Sequence, residues 1–393
     1  MSNVVRFMHG DMAGASTVYG NAGGLIPMLD ACLKDGWGQQ TLSSLVVAGG
    51  VATATFGTAF PFEVQSVALI AGATPAGLNG EKKVLSITGN TVTFDATGIS
   101  DQTATGTITA KMAPLGWSKV FSGTNKAVYT STAPAYSGGY LRVDDTGTLN
   151  ARVVAYEGMY DVDTGVNPYP TAAQVSGGLY WGRSSAADAT TRKWFLAGDD
   201  RGFYLWLAPQ TVVGGVNGIS QYFGDLLAKN TTDKFMSTIN GGVASNVAMA
   251  SSVLSDLGYS NTNAASTPNG IFMPRATTAL VGALAMTKQC ALTPINANYS
   301  GLNINGFLTY PNGGDNGLLL SPTVVYGGNS LRGTLPGWYM SPQNISAYFS
   351  HRDVVPGTDD YPNKRFVALR HAPPGDGGSN FGFVFIDVSG PWR

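Results

Sequence analysis

Between Ser44 and Lys111 the chain sets short alternating apolar and polar runs between glycine turns, a pattern that fits strands of period two and leaves no room for a long helix. Leu45, Val47, Val51, Thr53 and Thr55 keep the rhythm around Gly49-Gly50, and KKVLSIT and TVTFDA flank a second turn at Gly89-Asn90. The stretch predicts a small β-module over residues 43–113, preceded by an N-terminal segment, 1–42, and followed by a larger β-rich body, 114–393. Pro114-Leu115-Gly116-Trp117 marks the junction with the body. The fold class expected is mainly β, in several β-sandwich or β-barrel-like modules with one short N-terminal helix.

That helix is expected at Leu25 to Lys34, where Leu25, Met28, Leu29 and Cys32 recur at helical spacing and Gly36 follows to stop it. In the body, AVYTST, GGYLRV, ARVVAYEG, GGLYWGR, KWFLAGD and GFYLWLA read as strands. KWFLAG and FYLWLA should pair across Asp199-Asp200-Arg201-Gly202. The second of them is apolar on both faces, as a central strand would be. ISQYFGDLLAKN is open between one turn of helix and a glycine-broken strand. A polar loop at Asn261 to Pro268 offers a place to divide the body. ALVGALAMT, NGLLLSPTVVYG, KRFVALRH and FGFVFIDV are further strands, the last two forming a hairpin with Phe381, Phe383 and Phe385 on one face.

Several stretches carry a resemblance. ATATF, PFEVQSVALIAGATPAGLNGEKKVLSITGNTVTF and the closing TATGTIT resemble the small β-module of tail and fibre proteins of double-stranded DNA bacteriophages. Where that family has a His-Gly-Phe turn, this chain has Phe60-Pro61-Phe62. MHGDMAGA at Met8 to Ala15, LRVDDTGTLNARVVAYEGMYDVDTG at Leu141 to Gly165 and the final FVFIDVSGPWR are similar to virion structural proteins of tailed phages and prophages. The resemblance implies a tail-associated structural subunit of a virion, at the tail tip or baseplate. Its partners would be copies of itself and other virion proteins, with the host cell surface a further candidate. A capsid decoration or cement protein and a receptor- or carbohydrate-binding tail protein, touching the host through loops at Tyr160 to Tyr180 and Ala372 to Asn380, are the alternatives.

Composition agrees with an assembly role. Charged residues are 12% of the chain, against roughly 25% in ordinary soluble proteins. The surface must therefore be rich in Ser, Thr, Asn, Gly and apolar groups, which can be buried against a partner at less cost than ions. A formal charge of −1 and the lack of a polybasic arm argue against nucleic acid as a partner. No apolar run is long enough for a membrane-spanning helix, and no apolar signal core follows Arg6, so the chain is expected to stay in the cytoplasm of the host cell until it joins a virion. Cys32 and Cys290 sit in no metal or redox motif and read as buried free thiols.

No catalytic, cofactor-binding or metal-binding residue is assigned. Asp144-Asp145-Thr146-Gly147 and Asp161-Val162-Asp163-Thr164-Gly165 offer carboxylates near glycine, but lack the further ligands and the bidentate Glu of a calcium loop. Carboxylates bonded to their own turn amides are the simpler reading. His351-Arg352-Asp353 matches part of a kinase loop without its companions and is read as chance. His9 with Asp11, and His371, form no recognisable triad with it, and no nucleophile elbow is present. Trp181, Trp194, Trp206 and Tyr180 could hold a sugar, yet core packing explains them as well. Glu81-Lys82-Lys83 and Lys364-Arg365 read as solvated strand ends. The chain is not expected to be an enzyme or to need a cofactor.

Overall fold

A computed structural model describes residues 4–210, 217–243, 270–290, 308–327, 330–345, 347–357, 360–371 and 382–393. The expected loops at Asn261 to Pro268 and Ala372 to Asn380, with Phe381, lie outside the described residues, as does the side chain of Cys290. The fold is mainly β, with one short helix and three sheets.

The module at the start closes into a barrel. Trp37–Ala48 pairs with Val51–Phe56 through the Gly49-Gly50 turn, then Thr91–Asp95, Gly80–Thr88, Val67–Ala71 and Thr109–Met112 follow, the last returning to Trp37–Ala48. Every second residue points inward, so Leu45, Val47, Ala52, Ala54, Phe56, Val84, Val92 and Phe94 fill the interior. Closure removes open edges from the ring, which a free sheet of this size would otherwise expose. Phe56, Phe60 and Phe62 stack at one end with centroids 4.7–5.9 Å apart. The Phe60-Pro61-Phe62 turn thus plugs the barrel mouth.

The helix occupies Ile26–Asp30 and widens into a π-helical turn, Ala31–Asp35, before Gly36 turns the chain at φ 67°. Ile26, Met28, Leu29, Cys32 and Leu33 are buried, and Cys32 is a free thiol.

The body has two sheets. The smaller is a meander from Trp117–Gly123 through Lys126–Ser131, Tyr140–Asp144 and Asn150–Met159 to Gly165–Tyr169, with Leu179–Gly182 also on Asn150–Met159. The larger has 13 strands and begins with Arg6–His9 beside Trp194–Gly198. Trp194–Gly198 and Gly202–Leu207 form the expected hairpin, and every residue of Gly202–Leu207 is buried. The open ISQYFGDLLAKN stretch is strand, Ile219–Asp225 and Leu227–Ala228. All seven residues of the first are buried, a demand that an amphipathic helix would not meet. Arg365–His371 and Gly382–Asp387 pair antiparallel, and the sheet ends at Val354–Pro356.

Aromatic contacts show how these layers stack. Tyr204 meets Tyr222 at 4.7 Å and Trp338 at 5.0 Å, so the two arms of the large sheet fold against each other. On the opposite face of the first arm, Trp117 reaches Phe203 at 5.3 Å and Phe223 at 5.7 Å, which docks the smaller sheet. One hydrophobic cluster runs from the barrel through both sheets, and a second, around Phe366, Phe383 and Phe385, covers the outer face of the far arm. Burial on both faces accounts for the unbroken apolar runs in the body.

Gly337 is one of the tight points of this stack. Its φ is +64°, and a Cβ there would lie 2.1 Å from Nε1 of Trp392, whose indole donates to the Asp387 carbonyl at 2.7 Å. Gly337→Ala should lose about 1–2 kcal/mol to backbone strain and about 1–3 kcal/mol to overpacking. Thermal unfolding of the two proteins measures this, and an unchanged midpoint would contradict the packing described.

Charged residues act as ties between these parts. Lys83 is not the solvated strand end expected: its ammonium donates to the carbonyls of Val5, at 2.9 Å, and Val388, holding the barrel to both termini of the body. Burial lowers its pKa to about 8. Arg6 pairs with Glu81 across the same seam. Lys364 likewise departs from expectation, since it binds Asp387 at 2.9 Å and the Gly390 carbonyl at 3.0 Å.

Candidate functional site

Period-two geometry places Phe7 and His9 on one face of the Arg6–His9 strand, where pairing of His9 with Phe195 adds a third ring. The three rings stack with centroids 5.9–6.5 Å apart. Over them the barrel lowers Glu63, Val64 and Gln65, and the far arm brings His351, Arg352, Asp353 and Val354. Together they enclose a cleft of about 290 Å³, floored also by Val367 and Val388.

Polar contacts fix the three parts to one another. His9, with 2% of its side chain exposed, places Nε2 2.9 Å from Glu63 Oε1. Its Nδ1 accepts from the Asp11 amide at 3.3 Å and lies 2.5 Å from Arg352 Nη1. Nδ1 is therefore the acceptor and Nε2–H the donor toward Glu63. Asp11 bridges Arg352, at 3.2 Å, and Lys193. The hydrogen bond from His9 holds the Glu63 carboxyl below its usual range. Burial, with the Arg352 charge beside it, pulls His351 down to about 3. His351 is thus a neutral ring, stacked on Trp206 with centroids 4.2 Å apart.

Gln65 and Arg352 both have φ of 72°, and both line this cleft. Left-handed backbone at a side-chain-bearing residue costs energy that the surrounding structure must offset, and it concentrates at working surfaces. Arg352 is locked in place by its amide, which donates to Ala368 O at 2.7 Å, and by the Ala368 amide, which donates to Asp353 O at 2.9 Å.

Two of the three histidines therefore meet although 342 residues separate them. Sequence reading named His9, Asp11 and His351-Arg352-Asp353, but found no relation between them and missed Phe7, Glu63, Gln65 and Phe195. No local signal links these segments. His371 stays apart from the cleft, fully buried, with Nε2 2.7 Å from Ser220 Oγ and Nδ1 3.0 Å from the Leu369 carbonyl.

The acidic turns split. Asp144 Oδ1 accepts from the Thr146 hydroxyl at 2.6 Å, and Asp161 Oδ1 from the amides of Asp163 and Thr164 at 2.7 Å, as turn carboxylates do. Asp163 pairs with Lys126 at 2.9 Å and with Arg142 at 2.5 Å, cations that would oppose a metal ion. Asp145 is not a turn residue in this sense. Its side chain is fully buried against Arg183, and Oδ2 accepts from the Leu25 amide at 2.7 Å, capping the helix from 120 residues away. Among the described residues no group of three or more His, Cys, Asp or Glu is placed to hold a metal ion.

Trp181, Trp194 and Trp206 are buried in the core. Tyr180 is half-buried beneath the Arg152 guanidinium, which sits 3.7 Å from its ring centre. These rings pack the interior and offer no platform for a sugar.

No family model matches the chain, and no curated protein does.

Proposed function

We propose that the chain is a structural subunit of a tailed-phage virion, tail-associated, acting through contacts with its own copies and with other virion proteins. The observation that supports this reading is where the few charges go. Arg183 and Asp145, Arg332 and Asp233, Arg393 and Asp199, Lys364 and Asp387, and Arg6 and Glu81 are all spent on internal ties, each with at least one partner nearly buried. What remains outside is surface poor in ions, which an adjoining protein can cover without stranding a charge. A closed barrel on a rigid, aromatic body is a scaffold suited to repeated contacts, and the reading assigns it no reaction.

Mass spectrometry of purified particles, with gold-labelled antibody imaging of the same particles, tests the reading. Label on the tail, at its tip or baseplate, is the expected result. Label on the shell would instead favour capsid decoration, and a stable monomer missing from particles would overturn the structural role.

A further inference from the structure

We propose that the cleft between barrel and body binds one cyclic polyol of pyranose size, a monosaccharide or the end unit of a glycan. The two walls of the cleft carry matching chemistry. Glu63 and Gln65 come from the barrel, Arg352 and Asp353 from the far arm, so each wall sets one carboxylate beside one N–H donor. Glu63 spends Oε1 on His9, Asp353 spends Oδ2 on the Ser350 amide at 2.7 Å, and Arg352 spends Nη1 on His9 and Asp11. Among the described residues, Glu63 Oε2, Asp353 Oδ1, Arg352 Nε and Nη2 and the Gln65 carboxamide make no hydrogen bond or ion pair within the chain.

Those open atoms select the ligand. An anion only accepts hydrogen bonds and would face two carboxylates, whereas an ammonium only donates and would face the Arg352 guanidinium. A hydroxyl does both. Neighbouring hydroxyls can donate to the carboxylate and accept from the N–H group of one wall, and a ring that carries them at opposite edges serves both walls at once. An α-amino acid holds its two charges on one carbon and would serve one wall. The cleft volume of about 290 Å³ is at the lower bound of ligand pockets and takes a single ring. Val64 and Val354, 49% and 61% exposed at its lips, offer apolar atoms to the C–H surface of that ring.

Backbone conformation points to the same walls. Gln65 on one and Arg352 on the other both hold φ at 72°, and strain kept at two positions of one cleft is the pattern of a preformed ligand clamp. The whole site belongs to one chain, so the inference goes beyond the assembly reading and does not rest on it.

Saturation-transfer NMR on the full chain tests this, with glucose, galactose, mannose and N-acetylglucosamine offered separately, and serine and inorganic phosphate as contrasts. At least one of the sugars should bind, with a dissociation constant of about 1 mM, the strength that ordinary ligand efficiency gives to about a dozen non-hydrogen atoms. Serine and phosphate should not. Val354→Trp, which fills the mouth from an exposed position, should abolish the signal without moving the thermal unfolding midpoint. Asp353→Asn should weaken binding about tenfold, because it replaces a charged acceptor with a neutral one. No binding by any of the sugars, binding by serine or phosphate alone, or binding at parental strength in either variant would overturn the assignment. Incorporation into particles is read separately, so either reading can fail while the other stands.

Discussion

Arg183→Ala is expected to destabilise the protein by about 3–5 kcal/mol, the usual cost of removing one partner from a buried ion pair. Arg183 and Asp145 are both fully buried, so the carboxylate left behind could not be solvated. The loss also takes a donor from three carbonyls, since Arg183 Nη2 serves Asn21 at 2.7 Å, Gly147 at 2.6 Å and Thr148 at 2.8 Å, and of these Asn21 keeps the Gly24 amide at 3.0 Å. Because total stability in domains is about 5–15 kcal/mol, the variant should be close to unfolding at ambient temperature. Denaturant titration measures this. The double variant Arg183→Met/Asp145→Leu should recover only the part of the loss that comes from the stranded charge, because the carbonyls served by Arg183 and the Leu25 amide still lose their partners. A single variant as stable as the parent would mean that the pair does not sit in the core.

Acid should weaken the fold through His371 well before the carboxylates titrate. Burial pulls its folded pKa down to about 3, with the nearby Lys288 charge acting in the same direction against the Leu369 carbonyl. The unfolded chain binds a proton near pH 6.5 and the native chain does not, so stability is full above that value and falls as pH drops toward 3. At pH 5 the expected cost is about 2 kcal/mol, since each pH unit in that window is worth about 1.4 kcal/mol. His351, half-buried and lowered for the same reason, adds a smaller amount in the same window. Carboxylates held low, such as Glu63 and Asp144, lose their contribution only below their ordinary range. Unfolding free energies at pH 7 and pH 5 should differ by about 2 kcal/mol less in His371→Gln than in the parent. An identical pH response in the variant would refute the assignment.

The sequence patterns that proved legible are local. Turns at Gly49-Gly50, Gly89-Asn90 and Asp199 to Gly202 join strands only two or three residues apart, so period-two alternation and turn chemistry specify them without help from the rest of the chain. The closure of the barrel was harder to see, because it depends on Trp37–Ala48 meeting Thr109–Met112. Reading Asp145 as a turn residue followed from its neighbours Asp144 and Gly147; its burial is decided by the Leu25 amide and by Arg183, which are remote in sequence. Lys83 misled for the same reason, as both of its acceptors belong to the chain's opposite ends. The cleft is wholly of this kind. His9, Glu63 and Arg352 become neighbours only after the large sheet has folded over and the barrel has settled on its first strand.

That settling has a consequence for polarity. Arg6–His9 is the outermost strand at one extremity of the large sheet, and its four residues are all buried, with the barrel held over the seam by Lys83 and Arg6. At the other extremity Val354–Pro356 keeps exposed residues. The two terminal strands of the large sheet are therefore unlike, one sealed beneath the barrel and the other with side chains in water, although both border the same cleft.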